Sequence, residues 1–244
     1  MSKSTVLVVG GNSDIAKPLI KSFCNYGYEV SITCRSEEKL QNTCNNLISY
    51  TGNKIIGSVL DLNDIDAVKV FFEHHQVPQV LVIAAGFMSL DNDAYDDVLN
   101  SIKVNYLSAV VLLNAAKKEM LSRNCGDIIV LSSVAGERGR YSNYLYGSSK
   151  AALTQFLSGF RARLYGTNIN VLTVKCGVVA TKFNQGISYA KEGRVLVSTP
   201  EKVANMIFKA FKKRKQVIYT PSYWALIMRS VKAIPEFIFR RLKL

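Results

Sequence analysis

The chain has 244 residues, 48% of them hydrophobic, and a formal net charge of +13. That is enough apolar material for one large core, and a single α/β domain is the expectation. No repeat or low-complexity tract interrupts it. The five cysteines (24, 34, 44, 125 and 176) are odd in number and lack C-x-x-C pairing, and the two histidines, 74 and 75, are adjacent. No metal site is expected, and the thiols suit a reducing cytoplasm. A strand begins almost at the N-terminus, which argues against a cleaved signal peptide. From Glu201 onward there are eleven Lys/Arg against two Glu. Such a basic end fits nucleic acid, an anionic membrane surface or an acidic substrate.

Thr5-Val6-Leu7-Val8-Val9 is a near-continuous β-branched run, the pattern of a central parallel strand covered on both faces. Gly10-Gly11-Asn12-Ser13-Asp14-Ile15-Ala16 turns from it into a helix that continues through Phe23. A strand–glycine turn–helix unit aims backbone N–H groups and a positive helix end at a pyrophosphate. Spacing alone is a weak signal, since glycine-rich turns also merely cap elements. Asp14 is awkward there unless its carboxylate turns away or caps the helix.

The second strand, Glu29 to Arg35, ends in Cys34-Arg35. An acid at that place binds a ribose 2′-hydroxyl and an Arg accommodates a 2′-phosphate, so Arg35 favours NADP(H) and leaves NAD(H) open. The competing reading is a solvated Arg that starts the next helix. Ile55 to Leu60 is the third strand, followed by Asp61-Leu62; Val80 to Ile83 is the fourth, turning through Ala84-Ala85-Gly86. Ser101 to Met120 is a long helix of apolar period with Asn105 as its polar residue. A buried strand, Ile128 to Ser133, ends in two serines. Past Gly136 and Gly139 come Tyr146 and Lys150, spaced i, i+4, which on a helix puts phenol and ammonium on one face. A fixed Lys⁺ beside the phenol is expected to draw its pKa down towards neutrality, as a general acid/base requires. Helix to Gly166, a strand over Asn168–Lys175, a helix opened by Thr199-Pro200-Glu201 and a last strand over Gln216–Thr220 complete the count.

Ser133-x12-Tyr146-x3-Lys150 resembles the catalytic signature of the short-chain dehydrogenase/reductases, over about residues 4–220. The resemblance implies an α/β fold with a single Rossmann-type doubly wound domain: a seven-stranded parallel sheet flanked by helices over residues 1–220. It implies NAD(P)H-dependent ketone reduction, with Tyr146 as proton donor. Lys150 would assist it and hold the cofactor ribose, Ser133 would orient the carbonyl, and Asn105 would hold a relay water. By the same resemblance, Gly10, Asn12, Ser13, Asp14 and Ile15 would line the pyrophosphate, Asp61 and Leu62 the adenine, and Ala84, Ala85 and Gly86 the turn after the fourth strand. Gly177, Val179 and Thr181 would stand on the nicotinamide side, and residues 182–198 would form a flap over the substrate. The chain departs from the family pattern at three places: Asp14 and Ala16 replace glycines, Ile83-Ala84-Ala85-Gly86 replaces N-N-A-G, and Cys176 stands where proline is usual.

Residues 221–244 read as an amphipathic extension. Trp224, Ile227, Met228, Val231 and Ile234 form one helical stripe, and Pro235-Glu236 restarts a short helix with Phe237, Ile238, Phe239 and Leu242 among Arg240, Arg241 and Lys243. Charges and Pro235 leave no run of about 20 apolar residues, so it is not a span. It fits a helix lying at an anionic headgroup surface through 222–244, against two alternatives: packing on the domain's own core, or on another subunit. Nucleic acid is not expected, because the aromatics cluster with aliphatics. The Gly10-Gly11 turn with Asp14, the Ser132-Ser133-x-Ala135-Gly136-Glu137-Arg138 loop and this tail together are similar to the reductase subunit of decaprenylphosphoryl-ribose 2′-epimerase. That narrower resemblance implies a polyprenyl-phosphate-linked keto-sugar substrate, an oxidase partner subunit and a cytoplasmic enzyme peripheral on the membrane, with Arg138 and Arg140 as candidates for the substrate phosphate. The wider family implies a homodimer or homotetramer. The alternatives are a reductase of a soluble or acyl-type ketone, and a non-catalytic dinucleotide-binding partner.

Overall fold

The computed structural model describes residues 4–88, 94–184 and 196–242. Seven parallel strands form one sheet in the order β3-β2-β1-β4-β5-β6-β7: β1 (Thr5–Val9), β2 (Glu29–Cys34), β3 (Ile56–Val59), β4 (Val80–Ile83), β5 (Gly126–Ser133), β6 (Ile169–Cys176) and β7 (Val217–Thr220). Alternation along the buried strands splits the core in two. Val6, Val8, Val30, Ile32, Val80, Val82, Ile129, Leu172 and Val174 face α1 (Ala16–Asn25), α2 (Glu37–Thr51) and α7 (Pro200–Lys212). Leu7, Val9, Leu81, Ile83, Ile128, Val130 and Val171 face α3 (Ile65–His74), α5 (Ser108–Ser122) and α6 (Tyr144–Arg163). Each such side chain contributes roughly 1.5–3 kcal/mol on burial, and strands covered on both sides can be apolar at every position. The strand order reverses between β1 and β4, which opens a crevice at their carboxyl ends.

Local signals set the helix ends. Ser36 and Thr199 accept hydrogen bonds from Lys39 N and Lys202 N, and Pro200 occupies the first turn of α7. The helix expected over 101–120 begins earlier, as α4 (Tyr95–Ile102), with Asp96 and Asp97 in its first turn to complement the dipole. It runs through a π turn, Lys103–Leu107, into α5. By length and composition Tyr95–Ser122 would suffice to cross a membrane. Its Leu112, Leu113, Ala116 and Met120 are instead buried on the sheet.

The C-terminal stripe packs on the chain's own body. In α8 (Trp224–Ala233), Trp224 and Met228 are buried with Val134, and Val178, Tyr219, Ile227 and Val231 close around them. In α9 (Glu236–Phe239), Phe239 is buried beneath the guanidinium of Arg138, 4.3 Å from the ring centroid. Of the two alternatives to a lipid-facing stripe, packing on the domain is the one the structure adopts for these residues. Leu226, Phe237, Ile238 and Leu242 remain exposed.

Candidate active site

A cleft of about 570 Å³ opens at the carboxyl ends of the strands. The β1–α1 turn contributes Gly10, Asn12, Ser13, Asp14 and Ile15; the ends of β2 and β3 contribute Arg35, Asp61 and Leu62; the β4 turn contributes Ala84, Ala85 and Gly86. Ser133, Tyr146 and Lys150 line its other half with Gly177, Val179 and Thr181. Residues about 170 positions apart in sequence thus share one cavity, because they lie at or just past strand ends or in the first two turns of a helix.

Asp14 caps nothing: the α1 N-terminus carries no side-chain cap. Its carboxylate turns away and accepts the backbone N–H of Lys182 at 2.6 Å, tying the start of the segment after β6 across the crevice. The rest of the expected flap, from 185 to 195, lies outside the described residues. Arg35, just past β2, is joined in the lining by Lys39 from the first turn of α2, which the sequence reading missed. Paired cations and a glycine turn whose backbone can approach a phosphate closely are a fit for a phosphorylated dinucleotide.

Ser133 ends β5 in register with Cys176 of β6. Its Oγ donates to the Cys176 carbonyl at 3.4 Å and accepts from Ala135 N at 3.1 Å, so the hydroxyl is held at the strand end. Ser132 pins α6 through Thr154 at 2.7 Å and the Lys150 carbonyl at 3.3 Å. Gly136 is required by this packing, since a Cβ there would lie 2.7 Å from the backbone of Lys150 and Ala151. The Lys150 ammonium, almost wholly buried, donates to the Leu131 carbonyl at 3.1 Å and lies 5.8 Å from the Tyr146 ring centroid. Phe183 flanks that ring at 5.7 Å.

Electrostatics here differ from the sequence expectation. Burial, reinforced by the neighbouring Cys176 and opposed by a hydrogen bond with Ser133, raises the Tyr146 phenol above its ordinary value. Burial likewise lowers Lys150 from 10.5 to about 8, and pushes the Cys176 thiol up to about 11. Desolvation acts against both charged forms at once and is the largest cause for each. The phenol is therefore held protonated at neutral pH, the state of a proton donor.

A test of stability follows. Below pH 8 Lys150 is charged in both folded and unfolded chains and its burial opposes folding fully. Between pH 8 and 10.5 only the unfolded chain holds the proton, so this group's contribution to stability rises with pH. Lys150→Met is expected to raise the thermal midpoint at pH 7 by a few degrees. The burial penalty it removes is of order 3 kcal/mol, offset in part by the lost bond to Leu131. Calorimetry across that pH range should find the gain shrinking as pH approaches 10.5.

Asn105 sits in the π turn, a distortion often found at functional sites. Both ends of its amide are engaged by Phe87, Oδ1 accepting at 2.8 Å and Nδ2 donating at 2.7 Å. It thereby props the turn after β4, where the family's asparagines are missing. Arg140 lines the cleft, with Nη2 3.4 Å from the Met228 sulfur. Arg138 is outside the lining and pairs with Glu236 at 2.7 Å. Among the described residues no cluster of His, Cys, Asp and Glu is arranged to hold a metal.

Comparison with known proteins agrees with this geometry. The chain is 28% identical over 246 residues to an uncharacterised oxidoreductase of Mycobacterium tuberculosis, covering 97% of this chain and 96% of that one. It is 26% identical to an NADP-dependent 3-hydroxy acid dehydrogenase of Schizosaccharomyces pombe, covering 88% and 89%. In fold it superposes on a short-chain dehydrogenase from Sphingobium yanoikuyae in complex with NADPH with a TM-score of 0.80, at 19% identity and over 96% and 97% of the two chains. The short chain dehydrogenase profile matches residues 4–192, and this chain belongs to that family of oxidoreductases.

Proposed function

We infer that the protein uses NADPH to reduce a ketone to a secondary alcohol, and that the ketone is carried on an anionic, polyprenyl-phosphate-linked sugar of the cell envelope. The observation that carries the reaction class is the convergence of Tyr146, Lys150 and Ser133 at the ends of β5 and α6, in a cleft that continues to Arg35 and Lys39. When bound, the nicotinamide supplies hydride. The chain's part is to bind and to move a proton: Tyr146 donates to the carbonyl oxygen, Ser133 orients that oxygen, and Lys150 stabilises the phenolate left behind. Arg35 with Lys39 supports NADP(H) over NAD(H), as do the NADP-dependent relative and the NADPH-bound structure.

Arg140 stands in the cleft beside Asn143, whose amide oxygen is buried without a partner among the described residues. A guanidinium there suits a phosphate. The outer face of α8 and α9 combines exposed Leu226, Phe237 and Ile238 with Arg229, Arg240 and Arg241, as a surface meeting anionic lipid would. We place the enzyme in the cytoplasm at that surface, as a homodimer or homotetramer that receives its ketone from an oxidase partner. A second reading, a soluble or acyl-type ketone, is favoured by the packing of the α8 stripe onto the body of the chain.

The test feeds purified protein with membranes from cells expressing a polyprenylphosphoryl-ribose oxidase, and follows oxidation of NADPH and NADH in parallel. Turnover that requires the oxidase product supports the lipid-linked sugar; turnover of small ketones only supports the second reading. Leu226→Ser, Phe237→Ser and Ile238→Ser together are expected to abolish binding to phosphatidylglycerol vesicles while leaving turnover of a soluble ketone unchanged. Sedimentation with vesicles beside a solution assay measures both.

A further inference from the structure

The turn after Ser133 is joined to the C-terminal helices by a buried charge cluster. Glu137 ends that turn with a side chain only 5% exposed. It receives the Lys175 ammonium of β6 at 2.5 Å, the Tyr219 hydroxyl of β7 at 2.6 Å and the Lys232 ammonium of α8 at 3.1 Å. A buried carboxylate is tolerated only when paired and hydrogen-bonded. Burial alone would raise its pKa, but the bonds from Lys175, Tyr219 and Lys232 hold it below the ordinary value.

Each partner adjoins a group that shapes the cleft. Lys175 precedes Cys176, whose carbonyl accepts from Ser133. Tyr219 precedes Thr220, whose carbonyl accepts from Gly177 N at 2.9 Å. Lys232 belongs to the helix whose Trp224 packs against Gly177, so closely that a Cβ there would meet the indole Nε1 at 1.9 Å. The Trp224 Nε1 itself is buried without a partner among the described residues, so packing rather than a hydrogen bond holds the indole. One carboxylate thus ties the serine turn, the two strands beside Gly177 and the helix behind it.

We propose that Glu137 is a positioning residue for ketone reduction: through Lys175, Tyr219 and Lys232 it fixes the Ser133 turn and seats α8, by way of Trp224, as a wall behind Gly177. This rests on the reductase reading above. Such a buried pair adds little over apolar packing of the same shape, but losing one partner leaves the other charge buried, so the elements it joins must move to rehydrate it. Here two hydrogen bonds and one ion pair bring three elements onto a single carboxylate.

The test uses the full chain with Glu137→Gln, which keeps the shape and an acceptor for Tyr219, and Lys232→Met, at a residue half exposed and so tolerant of change. Trp224 is the only tryptophan, so its emission and its energy transfer to bound NADPH report on the wall directly. Ethyl acetoacetate serves as the ketone probe. Both variants are expected to red-shift the emission, weaken the transfer and lower kcat by about tenfold or more, with the dissociation constant of NADPH within about twofold of wild type. Lys232→Arg is expected to restore all three. Wild-type emission, transfer and kcat in both variants would overturn the proposal. If the wild type does not reduce this ketone, emission and transfer alone decide, and unchanged values overturn it. Tyr146→Phe run alongside separates the two claims: turnover surviving in that variant defeats the reductase reading, whereas its loss with unaffected Glu137→Gln and Lys232→Met defeats only the role of Glu137.

Discussion

Tyr146→Phe is expected to lower kcat for ketone reduction by about 10²–10⁴-fold, the range attributed to a positioned general acid, while the dissociation constant for NADPH stays within about twofold. The substitution removes one hydroxyl and keeps the ring, which packs beside Phe183. Among the described residues, Ser133 and Lys150 beside it in the cleft are engaged elsewhere. Ser133 is an alcohol of much higher pKa and already donates to the Cys176 carbonyl. The Lys150 ammonium is held on the Leu131 carbonyl at 3.1 Å, 5.8 Å from the Tyr146 ring centroid. Steady-state kinetics with a fluorescence titration of NADPH separate the two effects. Undiminished turnover would remove Tyr146 from the chemistry, and loss of cofactor binding in step with kcat would make its role structural.

The strands and the reacting groups were legible because both are written locally. Each buried strand is a short β-branched run, and Ser133, Tyr146 and Lys150 sit at fixed places relative to the end of β5 and the start of α6. What escaped the sequence depends on contacts between distant residues. Asn105 reads as a polar residue in an apolar helix; its partner Phe87 is 18 positions away, across a turn whose conformation no local pattern specifies. Glu137 meets Lys175 and Tyr219 at separations of 38 and 82. Periodicity identified the stripe of α8 correctly as an apolar face, but periodicity states only that a face will be covered, not by what. The expected fall of the Tyr146 pKa failed for a related reason: spacing gives the distance to a lysine, whereas the depth of burial, which here dominates, comes from the whole fold.

That correction alters what the C-terminal segment can be. A lipid-binding tail that is merely appended would tolerate removal. Here Trp224, Met228 and Phe239 are buried against the loop that leaves Ser133, and Arg138, named from the sequence as a phosphate ligand, is engaged in holding Glu236. Deleting residues 222–244 would therefore expose Val134 and Gly177 and disturb the site as well as any surface contact. The informative variants are those confined to the outer face.

Gly10→Ala is expected to damage both the fold and the cofactor half of the cleft. Gly10 has φ +84°, in the left-handed region that a Cβ disfavours, at a cost of about 1–2 kcal/mol. Its Cβ would stand 2.8 Å from both Cα and N of Ala85 and 2.9 Å from its Cβ. Two of these three atoms are backbone, fixed by the hydrogen bond from Ala84 N to the Val9 carbonyl at 2.9 Å, so no rotamer change relieves the overlap. The methyl at Gly10 must drive the ends of β1 and β4 apart, and that gap is the crevice in which the pyrophosphate is expected to lie. Strain and displaced packing together should cost about 3 kcal/mol or more, with NADPH affinity falling by about a hundredfold. Thermal unfolding with and without NADPH measures both. Near-normal stability and affinity in the Gly10→Ala variant would mean that the β4 turn yields easily, and that the crevice is not the rigid half of the site.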